Sequence, residues 1–306
     1  MTTVAVTGGT GFIGTTLIDG LVDAGYQVRA LTRRAQPERS GVIWVRGECA
    51  DDDALAALVD GAQAVVHCAG AVRGASRRDF DAVNVAGTAR LGRICAGHTR
   101  FLHLSSLAAR QPRLSYYSGS KADGESALAG IEGLDYTIFR PPAVYGPGDK
   151  ELKPLLDLMF RGIGVFPDHP GRFALIYIDD LIDAILAWLA MPAASVSGRC
   201  FELNDGADGY GWAQIIAAVE EVSGVRVRKL GIPKTLLALP AWCNQLLGRV
   251  GLITPMLTPG KLRELYFEDW TVDAEPVCSA LAWRPRVGLA TGLGLTFALT
   301  AGEVVT

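Results

Sequence analysis

The sequence predicts an α/β protein in which a doubly wound parallel sheet is followed by a smaller, mostly helical C-terminal lobe. Two observations predict it. Short apolar runs alternate with helical patterns through the first half of the chain, as expected for strands that are buried on both faces and separated by helices. In addition, a glycine-rich turn, TGGTGFIG at residues 7–14, lies directly between the first predicted strand and the first predicted helix.

The individual elements follow from the spacing of apolar residues. Ile13, Leu17 and Leu21 recur at helical spacing, and this helix is expected to end at Gly25, since glycine is typical of helix C-termini. Strands are predicted over residues 4–6, 28–31, 42–45, 64–67, 101–104 and 136–139. Beyond Tyr145, the pattern predicts helices over 152–160 and 180–190 and strands over 174–178 and 200–203.

Composition and charge exclude several classes of protein. The 306 residues are 49% apolar and 20% charged, which is typical of a globular protein and argues against a largely disordered chain. Lys and Arg number 29 against 32 Asp and Glu, so the net charge is −3. This balance indicates neither a basic face for nucleic acid nor a polybasic membrane-binding segment, and no nucleic-acid partner is expected.

Neither metal binding nor disulfide bonding is indicated. The four histidines lack the spacing of metal ligands and the six cysteines include no C-x-x-C pair, so free thiols in a reducing compartment are expected. The N-terminus has no signal-peptide pattern, and the apolar stretches are too short or too interrupted to span a bilayer. A cytoplasmic protein without a membrane span is therefore expected. The cysteines are Cys49, Cys68, Cys95, Cys200, Cys243 and Cys278.

The glycine turn indicates a bound dinucleotide. Without a Cβ, Gly9 and Gly11 let the backbone turn tightly and approach a pyrophosphate, and Gly14 lets the helix pack closely on the strand. Free N–H groups at the helix N-terminus attract the phosphates. In this strand–turn–helix context, a Rossmann-type dinucleotide site is predicted rather than a purely structural turn. Its residues are Gly8, Gly9, Thr10, Gly11, Phe12, Ile13 and Gly14.

The residues after the second strand indicate which dinucleotide binds. NAD-binding proteins often carry an acid there that accepts from the ribose 2′-hydroxyl, whereas this chain has Thr32-Arg33-Arg34. Guanidinium groups suit a 2′-phosphate in charge and geometry, so NADP(H) is predicted in preference to NAD(H). Two solvated arginines are the alternative interpretation. Glu48 and Cys49, after the third strand, are candidates to line the adenine pocket.

This organisation divides the chain into two parts. A nucleotide-binding domain is expected over residues 1–203, with a segment around 148–172 that belongs to the substrate-binding lobe. From about Asn204 the pattern becomes more helical and irregular and is interrupted by prolines, which predicts a C-terminal substrate-binding lobe over 204–306.

A second set of residues carries acid–base chemistry. Tyr117 and Lys121 stand four residues apart in a helical pattern, so both side chains lie on one face. The ordinary pKa of a phenol is about 10, and Lys121 can favour its ionised form while also holding the nicotinamide ribose. Ser105 and Ser106 end a predicted strand, where a hydroxyl can hydrogen-bond a substrate oxygen while Tyr117 moves its proton. Strand-end capping is the alternative role for the serines.

Together these motifs resemble the short-chain dehydrogenase/reductase superfamily of the extended type, the NAD-dependent epimerase/dehydratase family. The resemblance covers nearly the whole chain. Further signatures in the family's order are VHCAG at 66–70, NVAGT at 84–88, RPPAVYGPG at 140–148, IYIDD at 176–180 and LAWRP at 281–285.

The resemblance implies a role for each member of the site. Tyr117 would be the acid/base and Lys121 its partner. Ser106, with Ser105 second, would donate a hydrogen bond to the substrate, and Asn84 would organise the proton relay. The further residues that the resemblance implies for cofactor binding are Cys68, Ala69, Gly70 and Pro141.

Departures from the family pattern reduce the number of reaction types that fit this chain. Dehydratases of the family typically carry an acidic pair after the active-site hydroxyl, whereas Leu107-Ala108-Ala109 follows Ser106 here. The segment 107–116 before Tyr117 is also shorter than is usual in the family's sugar enzymes. An oxidoreductase that moves hydride between nicotinamide and a carbonyl or alcohol fits best, similar in character to hydroxysteroid dehydrogenases and dihydroflavonol reductases. A nucleotide-sugar epimerase with retained NAD and a non-catalytic NAD(P)-binding accessory protein are the alternatives.

Apolar residues are concentrated in the expected C-terminal lobe. A pocket lined by them would favour a hydrophobic small molecule over a nucleotide diphosphate, and a simple lobe core is the alternative. The resemblance also implies a homodimer formed through two helices that flank the sheet. Substrate, reaction direction and oligomeric state stay open. The residues are Leu236, Leu237, Leu239, Trp242, Leu246, Leu247, Leu252, Ile253, Met256 and Leu257.

Overall fold

A parallel sheet organises the first two thirds of the chain in the computed structural model, which describes residues 2–298. The last residues of the expected C-terminal lobe, 299–306, lie outside that range. The strands are β1 (Thr3–Thr7), β2 (Gln27–Thr32), β3 (Val42–Arg46), β4 (Ala64–His67), β5 (Arg100–Leu104), β6 (Tyr136–Arg140), β7 (Ala143–Tyr145), β8 (Ile163–Pro167), β9 (Arg172–Phe173), β10 (Leu175–Tyr177), β11 (Arg199–Glu202), β12 (Arg228–Ile232) and β13 (Asp269–Trp270).

Helices connect these strands. They are α1 (Phe12–Asp23), α2 (Asp52–Val59), α3 (Arg77–Asp81), α4 (Thr88–Cys95), α5 (Tyr116–Ala129), α6 (Lys153–Phe160), α7 (Ile178–Ala190), α8 (Ala193–Val196), α9 (Trp212–Ser223), α10 (Lys234–Arg249), α11 (Pro259–Leu265), α12 (Glu275–Leu281) and α13 (Leu289–Thr296). A π-helical turn (Ala82–Gly87) joins α3 to α4, and a 3₁₀ turn (Leu107–Arg110) follows β5. Within residues 2–298, no helix is both long enough and apolar enough to cross a membrane.

The main sheet has seven strands in the order β11-β6-β5-β4-β1-β2-β3, and all neighbours are parallel. The order reverses between β1 and β4, which is the position where ligands bind in open α/β sheets. The predicted doubly wound fold is therefore confirmed. The six predicted strands of the first half and the run at 200–203 all lie in this sheet, whereas the run at 174–178 forms β10, which pairs with β7 alone.

The central strands are apolar on both faces because helices cover both. Ala5, Val65 and Phe101 are fully buried in a cluster that includes residues of α2, α4 and α5. Their neighbours Val4 and Leu102 face the opposite side and are fully buried with residues of α1 and α7. This two-sided burial explains why the strands read as continuous apolar runs rather than as alternating ones.

Two short parallel pairings connect the middle of the chain to its C-terminal part. Strand β8 pairs with β12, and β9 pairs with β13. The segment that contains α6, β8 and β9 therefore lies with elements that come after the last strand of the main sheet. Helices α10 and α11 pack on each other through a small apolar cluster of Ala241, Leu262 and Tyr266.

Candidate active site

The glycine turn is closed so tightly that side chains are excluded at two positions. Gly8 has a φ of +71°, and a Cβ there would lie 2.7 Å from the amide nitrogen of Ala69. A Cβ on Gly14 would lie 2.1 Å from the carbonyl oxygen of Gly8. That carbonyl also accepts a hydrogen bond from the Gly11 amide at 2.9 Å. The turn thus brings the start of α1 directly onto the end of β1 and leaves a backbone-lined cradle.

The cradle meets the N-terminus of α1. Gly11 occupies the position before the helix, and no described side chain caps the helix there. Thr10 and Gly11 are exposed, while Phe12 and Ile13 begin the helix and are partly buried. Free amides with the positive end of the helix dipole attract an anion. These residues fit the pyrophosphate of a dinucleotide.

The adenosine side of this edge is cationic. Arg33 and Arg34 follow β2 and are exposed, and neither forms an ion pair within residues 2–298. Cys49, after β3, is partly buried, and Glu48 beside it is exposed. Burial raises the pKa of the Cys49 thiol and Glu48 raises it further, whereas the nearby charge of Arg33 lowers it. The residues that follow β2 and β3 therefore share one surface next to the glycine turn.

Asn84 fixes the loop that follows β4. Its side chain accepts from the Ala71 amide at 2.8 Å and donates to the Ala71 carbonyl at 3.0 Å and to the Ser120 hydroxyl at 2.9 Å. The Ser120 hydroxyl in turn donates to the Tyr117 carbonyl at 2.8 Å. Asn84 is 1% exposed and lies in the π-helical turn, a rare conformation that often marks functional sites. Its amide couples this loop to α5.

Lys121 lies beneath the same loop. Its Nζ donates to the Leu104 carbonyl at 2.8 Å, and a Cβ on Gly70 would lie 3.2 Å from that nitrogen. Burial lowers the pKa of Lys121 to about 8, and the charge of Glu125 opposes that shift. Burial raises the pKa of Cys68 to about 12, so this thiol stays neutral beside the lysine. Lys121 is thus held between the end of β5 and the loop that follows β4.

The two serines after β5 have different partners. Ser105 is 5% exposed, and its hydroxyl donates to the Glu125 carboxylate. Ser106 is partly exposed; its hydroxyl accepts from the Ala108 amide at 3.2 Å and lies close enough to the Tyr117 hydroxyl to lower the pKa of the phenol. The carbonyl of Pro141, at the end of β6, accepts from the Leu107 amide at 2.9 Å and holds the following turn. Of the two serines, Ser106 is the one that reaches the tyrosine.

The surroundings of Tyr117 shift the pKa of its hydroxyl in opposite directions. Burial raises the pKa of its hydroxyl, the hydrogen bond with Ser106 and the charge of Lys261 lower it, and Glu264 and Glu151 raise it, so that the pKa lies above its ordinary value. Lys261 of α11, which pairs with Glu264, thus adds its charge to the surroundings of the phenol. Phe80 packs edge-on against the Tyr117 ring, with centroids 6.2 Å apart. The hydroxyl thus remains protonated and able to donate.

Lys261 and Glu264 are the members of this site that sequence reasoning missed. Glu264 is 6% exposed and accepts from Lys261 Nζ at 3.0 Å, from the Ser118 hydroxyl at 2.8 Å and from the Ser115 hydroxyl. Both residues lie far from Tyr117 in the sequence, and only the folding of α11 over α5 brings them together. Their spacing within a short helix carries no signal of this proximity.

Glu125 connects the site to the core. Arg140 donates to both of its carboxylate oxygens, through Nε at 2.9 Å and Nη2 at 2.6 Å, and the Glu125 side chain is 9% exposed. Replacing Glu125 by alanine is expected to lower the free energy of unfolding by about 3 kcal/mol, since Arg140 would lose its main partner and keep only Glu202. Urea denaturation measures this loss.

The matched control is the exposed Glu132 in the turn after α5. Its replacement by alanine is expected to change the free energy of unfolding by no more than about 0.5 kcal/mol. Equal stability of the Glu125→Ala and Glu132→Ala variants would contradict the structural role of the Glu125–Arg140 pair.

The apolar residues of the C-terminal lobe do not lie where the sequence suggested. These residues form neither the wall of a pocket nor the core of the lobe. Eight of the ten are exposed, and only Leu237 and Leu257 pack inward. An argument for an apolar substrate therefore cannot rest on these side chains. The exposed residues are Leu236, Leu239, Trp242, Leu246, Leu247, Leu252, Ile253 and Met256.

The fold and the site define a Rossmann-type protein with a dinucleotide turn and a tyrosine–lysine pair at the carboxyl edge of its sheet. A family model described as "NAD dependent epimerase/dehydratase family" matches residues 4–203. The chain belongs to this family, and the family resemblance predicted from its motifs is confirmed.

Relatives within the family carry out different reactions. A ceramide reductase of Caulobacter vibrioides is 32% identical over 91% of this chain and 88% of its own. A 3β-hydroxysteroid dehydrogenase/Δ5→4-isomerase of Mycobacterium tuberculosis is 28% identical over 87% of this chain and 82% of its own. The crystal structure of the UDP-glucose 4-epimerase of Thermotoga maritima superposes with a TM-score of 0.75 at 20% identity and covers 97% of both chains. This likeness shows a shared fold. The family is thus NAD-dependent and includes both reductases and nucleotide-sugar epimerases.

Proposed function

We propose that this protein is an NAD(P)-dependent oxidoreductase that interconverts a carbonyl and an alcohol of an apolar small molecule. The observation that carries the proposal is the approach of the Ser106 and Tyr117 hydroxyls to each other at the carboxyl end of β5, beside Lys121 and the glycine turn. Two converging hydroxyls suit a carbonyl oxygen, which can accept from both.

The residues of the chain divide the proton chemistry among them. The raised pKa of Tyr117 keeps its hydroxyl protonated, so it can deliver a proton to the substrate oxygen in the reductive direction. Ser106 orients that oxygen by hydrogen bonding. Bound reduced nicotinamide supplies the hydride that the carbonyl carbon accepts. Lys121 lies where it can hold the nicotinamide ribose, and Asn84 keeps the neighbouring loop in place.

The surroundings of Ser106 favour simple redox chemistry over elimination. Leu107, which follows it, is 3% exposed and packs in an apolar cluster with Ala174 and Val272. Glu264, a buried acid that acts on Tyr117, already accepts from Lys261 and two serine hydroxyls. Glu151, the other acid that acts on Tyr117, is paired with Arg73. No additional acid or base is therefore free at the position where a dehydratase needs one, among the residues that the structure describes.

An apolar substrate is supported by two observations, one from the relatives and one from the charges near Tyr117. The relatives that reduce or oxidise ceramide and hydroxysteroids act on lipid-like molecules by their names. A nucleotide diphosphate would instead need several unpaired basic groups, whereas the charge of Lys261 is already matched by Glu264.

We also propose that NADP(H) is the preferred cofactor, because Arg33 and Arg34 are exposed beside the glycine turn where an acid would stand in an NAD-specific protein. The Arg33→Ala/Arg34→Ala variant is expected to bind NADPH at least about tenfold more weakly, since charge-assisted hydrogen bonds to a phosphate are lost. Affinity for NADH is expected to stay unchanged, and titration of nicotinamide fluorescence measures both.

Arg39 provides the control, because it is on the same loop but its guanidinium is bonded to Asp19. Arg39→Ala is expected to leave both affinities as they are. Equal loss of NADPH and NADH binding in the double variant, or a wild-type preference for NADH, would overturn the assignment of the two arginines.

The proposed reaction is tested by incubating the protein with NADPH and either a steroid ketone or a long-chain 3-oxo ester. Consumption of NADPH that depends on the ketone is the expected result. Isomerisation of UDP-glucose without net cofactor consumption would instead identify an epimerase, and neither activity together with normal cofactor binding would identify an accessory protein.

A further inference from the structure

Helix α10 lies on the surface and carries large apolar side chains on its exposed side. Leu236, Leu239, Trp242 and Leu246 recur at spacings of three and four residues and form one stripe, and Leu239 is 72% exposed. The solvent-facing side of a surface helix is normally polar. The exposed side of α10 therefore lacks the covering that its composition demands.

The inner side of α10 is already occupied, which settles the helix orientation. Ala241 is fully buried against α11, and Gln245 donates to the Ala75 carbonyl at 3.2 Å. A Cβ on Gly248 would lie 2.7 Å from the Cβ of Ala75, so the helix also lies close to this loop near its end. The exposed stripe therefore points away from the protein.

The stripe continues beyond the helix. Leu252 is 71% exposed, and Val250, Ile253 and Met256 are between 42% and 64% exposed. Exposed apolar side chains are ordinary when they are scattered singly, whereas a contiguous patch marks an interaction surface. We call the exposed apolar residues of α10 and of the turn 250–257 the apolar face.

The stretch of sequence that carries the apolar face is cationic. Residues 222–263 contain seven Lys and Arg and no Asp or Glu, in a chain whose net charge is −3. Lys234 stands at the N-terminus of α10 and Arg249 at its C-terminus, both exposed. Of the seven cations, Lys261 alone pairs with a carboxylate within the described part of the chain. The near-neutral charge of the whole chain therefore gives no indication of the positive charge of this segment.

We propose that the apolar face is a membrane-docking surface that lies in the interface of a bilayer containing anionic phospholipids. Leu and Trp side chains on one face, with basic residues at its margins, are the chemistry of helices that lie flat in the headgroup region. Tryptophan is favoured at that depth. The basic residues supply attraction to an anionic leaflet.

A second copy of the chain is the competing occupant, and charge argues against it. A symmetric dimer through the apolar face would bring the two cationic segments together, which costs free energy. An anionic membrane surface neutralises them instead. The observations therefore favour the bilayer.

Docking in this way would bring the elements that neighbour the candidate active site to the membrane. The inner side of α10 contacts Ala75, and α11, on which α10 packs, carries the Lys261 that acts on Tyr117. An apolar molecule dissolved in the bilayer would then have a short path to the tyrosine. The docking itself does not depend on the proposed reaction and is tested without it.

Flotation with vesicles measures the docking directly. The wild-type protein is expected to float with vesicles of equal parts phosphatidylglycerol and phosphatidylcholine, and much less with phosphatidylcholine alone. Leu239→Glu is expected to weaken binding at least about tenfold, because an exposed leucine that enters the bilayer is replaced by an anion. Lys234→Gln/Arg249→Gln is expected to weaken binding to the mixed vesicles by more than about tenfold, since each cation contributes roughly fivefold.

Ile43→Glu provides the matched control, because Ile43 is an exposed apolar residue of β3, at the edge of the main sheet formed by that strand. It adds the same charge and is expected to bind as the wild type does. A blue shift of tryptophan emission on vesicle binding that is absent in Trp242→Phe gives a second readout. Thermal melting verifies that each variant is folded.

Three results would overturn the proposal. The first is a wild-type protein that stays in solution with both kinds of vesicle. The second is equal binding by Leu239→Glu and Ile43→Glu. The third is a dimer, detected by light scattering, that Leu239→Glu converts to a monomer while neither protein binds vesicles, which would assign the apolar face to a second copy of the chain.

Discussion

Replacing Tyr117 by phenylalanine is expected to lower the rate of ketone reduction by about 10²–10⁴-fold, the usual contribution of a positioned general acid. The variant keeps the ring that packs on Phe80 and loses only the hydroxyl that meets Ser106. Cofactor affinity and thermal stability are expected to stay close to those of the wild type. Steady-state kinetics with NADPH, together with a cofactor titration, separates the chemical step from binding.

The neighbouring tyrosine offers an unusually close control. Tyr116 begins the same helix, but its side chain is 40% exposed. Tyr116→Phe is expected to react at the wild-type rate. Ketone reduction by Tyr117→Phe at a rate comparable to that of Tyr116→Phe would remove Tyr117 from the proposed reaction.

Gly14→Ala is expected to weaken NADPH binding about a hundredfold or more, because the new Cβ would lie 2.1 Å from the Gly8 carbonyl oxygen and 2.8 Å from the Gly9 Cα. Both obstacles are backbone atoms, so the turn itself must move and the amides that face the pyrophosphate move with it. The same crowding is expected to lower the free energy of unfolding by about 1–3 kcal/mol. Fluorescence titration and thermal melting measure the two effects separately.

Gly130→Ala controls for the loss of a helix glycine. Gly130 follows α5 with a φ of −85°, and a Cβ there would meet the Ala127 carbonyl at an ordinary 3.7 Å. This variant is expected to bind NADPH normally and to be as stable as the wild type or slightly more so. Wild-type NADPH affinity in a folded Gly14→Ala protein would mean that the glycine turn does not hold the dinucleotide.

The sheet could be predicted from the sequence because its signals are local. Val4, Val66 and Leu102 belong to short apolar runs that alternate with helical patterns along the chain. That alternation alone predicts a parallel sheet with helices on both faces. The signal of the glycine turn is equally local, since the close approach of Gly14 to the Gly8 carbonyl occurs within one strand–turn–helix unit. Family membership, which rests on such motifs, is confirmed for the same reason.

The parts of the site that escaped prediction depend on tertiary packing. Lys261 and Glu264 reach Tyr117 only because α11 folds over α5, and no spacing in the sequence reports that approach. Ser105 differs from Ser106 because its hydroxyl donates to the carboxylate of Glu125 in the neighbouring helix α5. Composition alone likewise could not tell whether an apolar lobe is buried or exposed.

Exposure of the apolar face changes how an apolar substrate is to be understood. Its residues do not line a pocket, so they do not set substrate preference by enclosing the substrate. A protein that binds its substrate from a bilayer would meet that requirement, with Trp242 and Leu239 in the lipid interface and Tyr117 behind α11. Reduction and docking are nevertheless separable, because soluble ketones test the first and vesicles the second.

Isotope transfer tests the central claim most directly. The protein is incubated with NADPH that carries two deuterium atoms at nicotinamide C4 and with an apolar ketone, and the alcohol product is examined by mass spectrometry. The account predicts one deuterium on the carbinol carbon for each NADPH consumed, with transfer at least about a hundredfold slower in Tyr117→Phe and at the wild-type rate in Tyr116→Phe. Absence of deuterium from every ketone tested, with UDP-glucose isomerised while the cofactor stays bound, would contradict it.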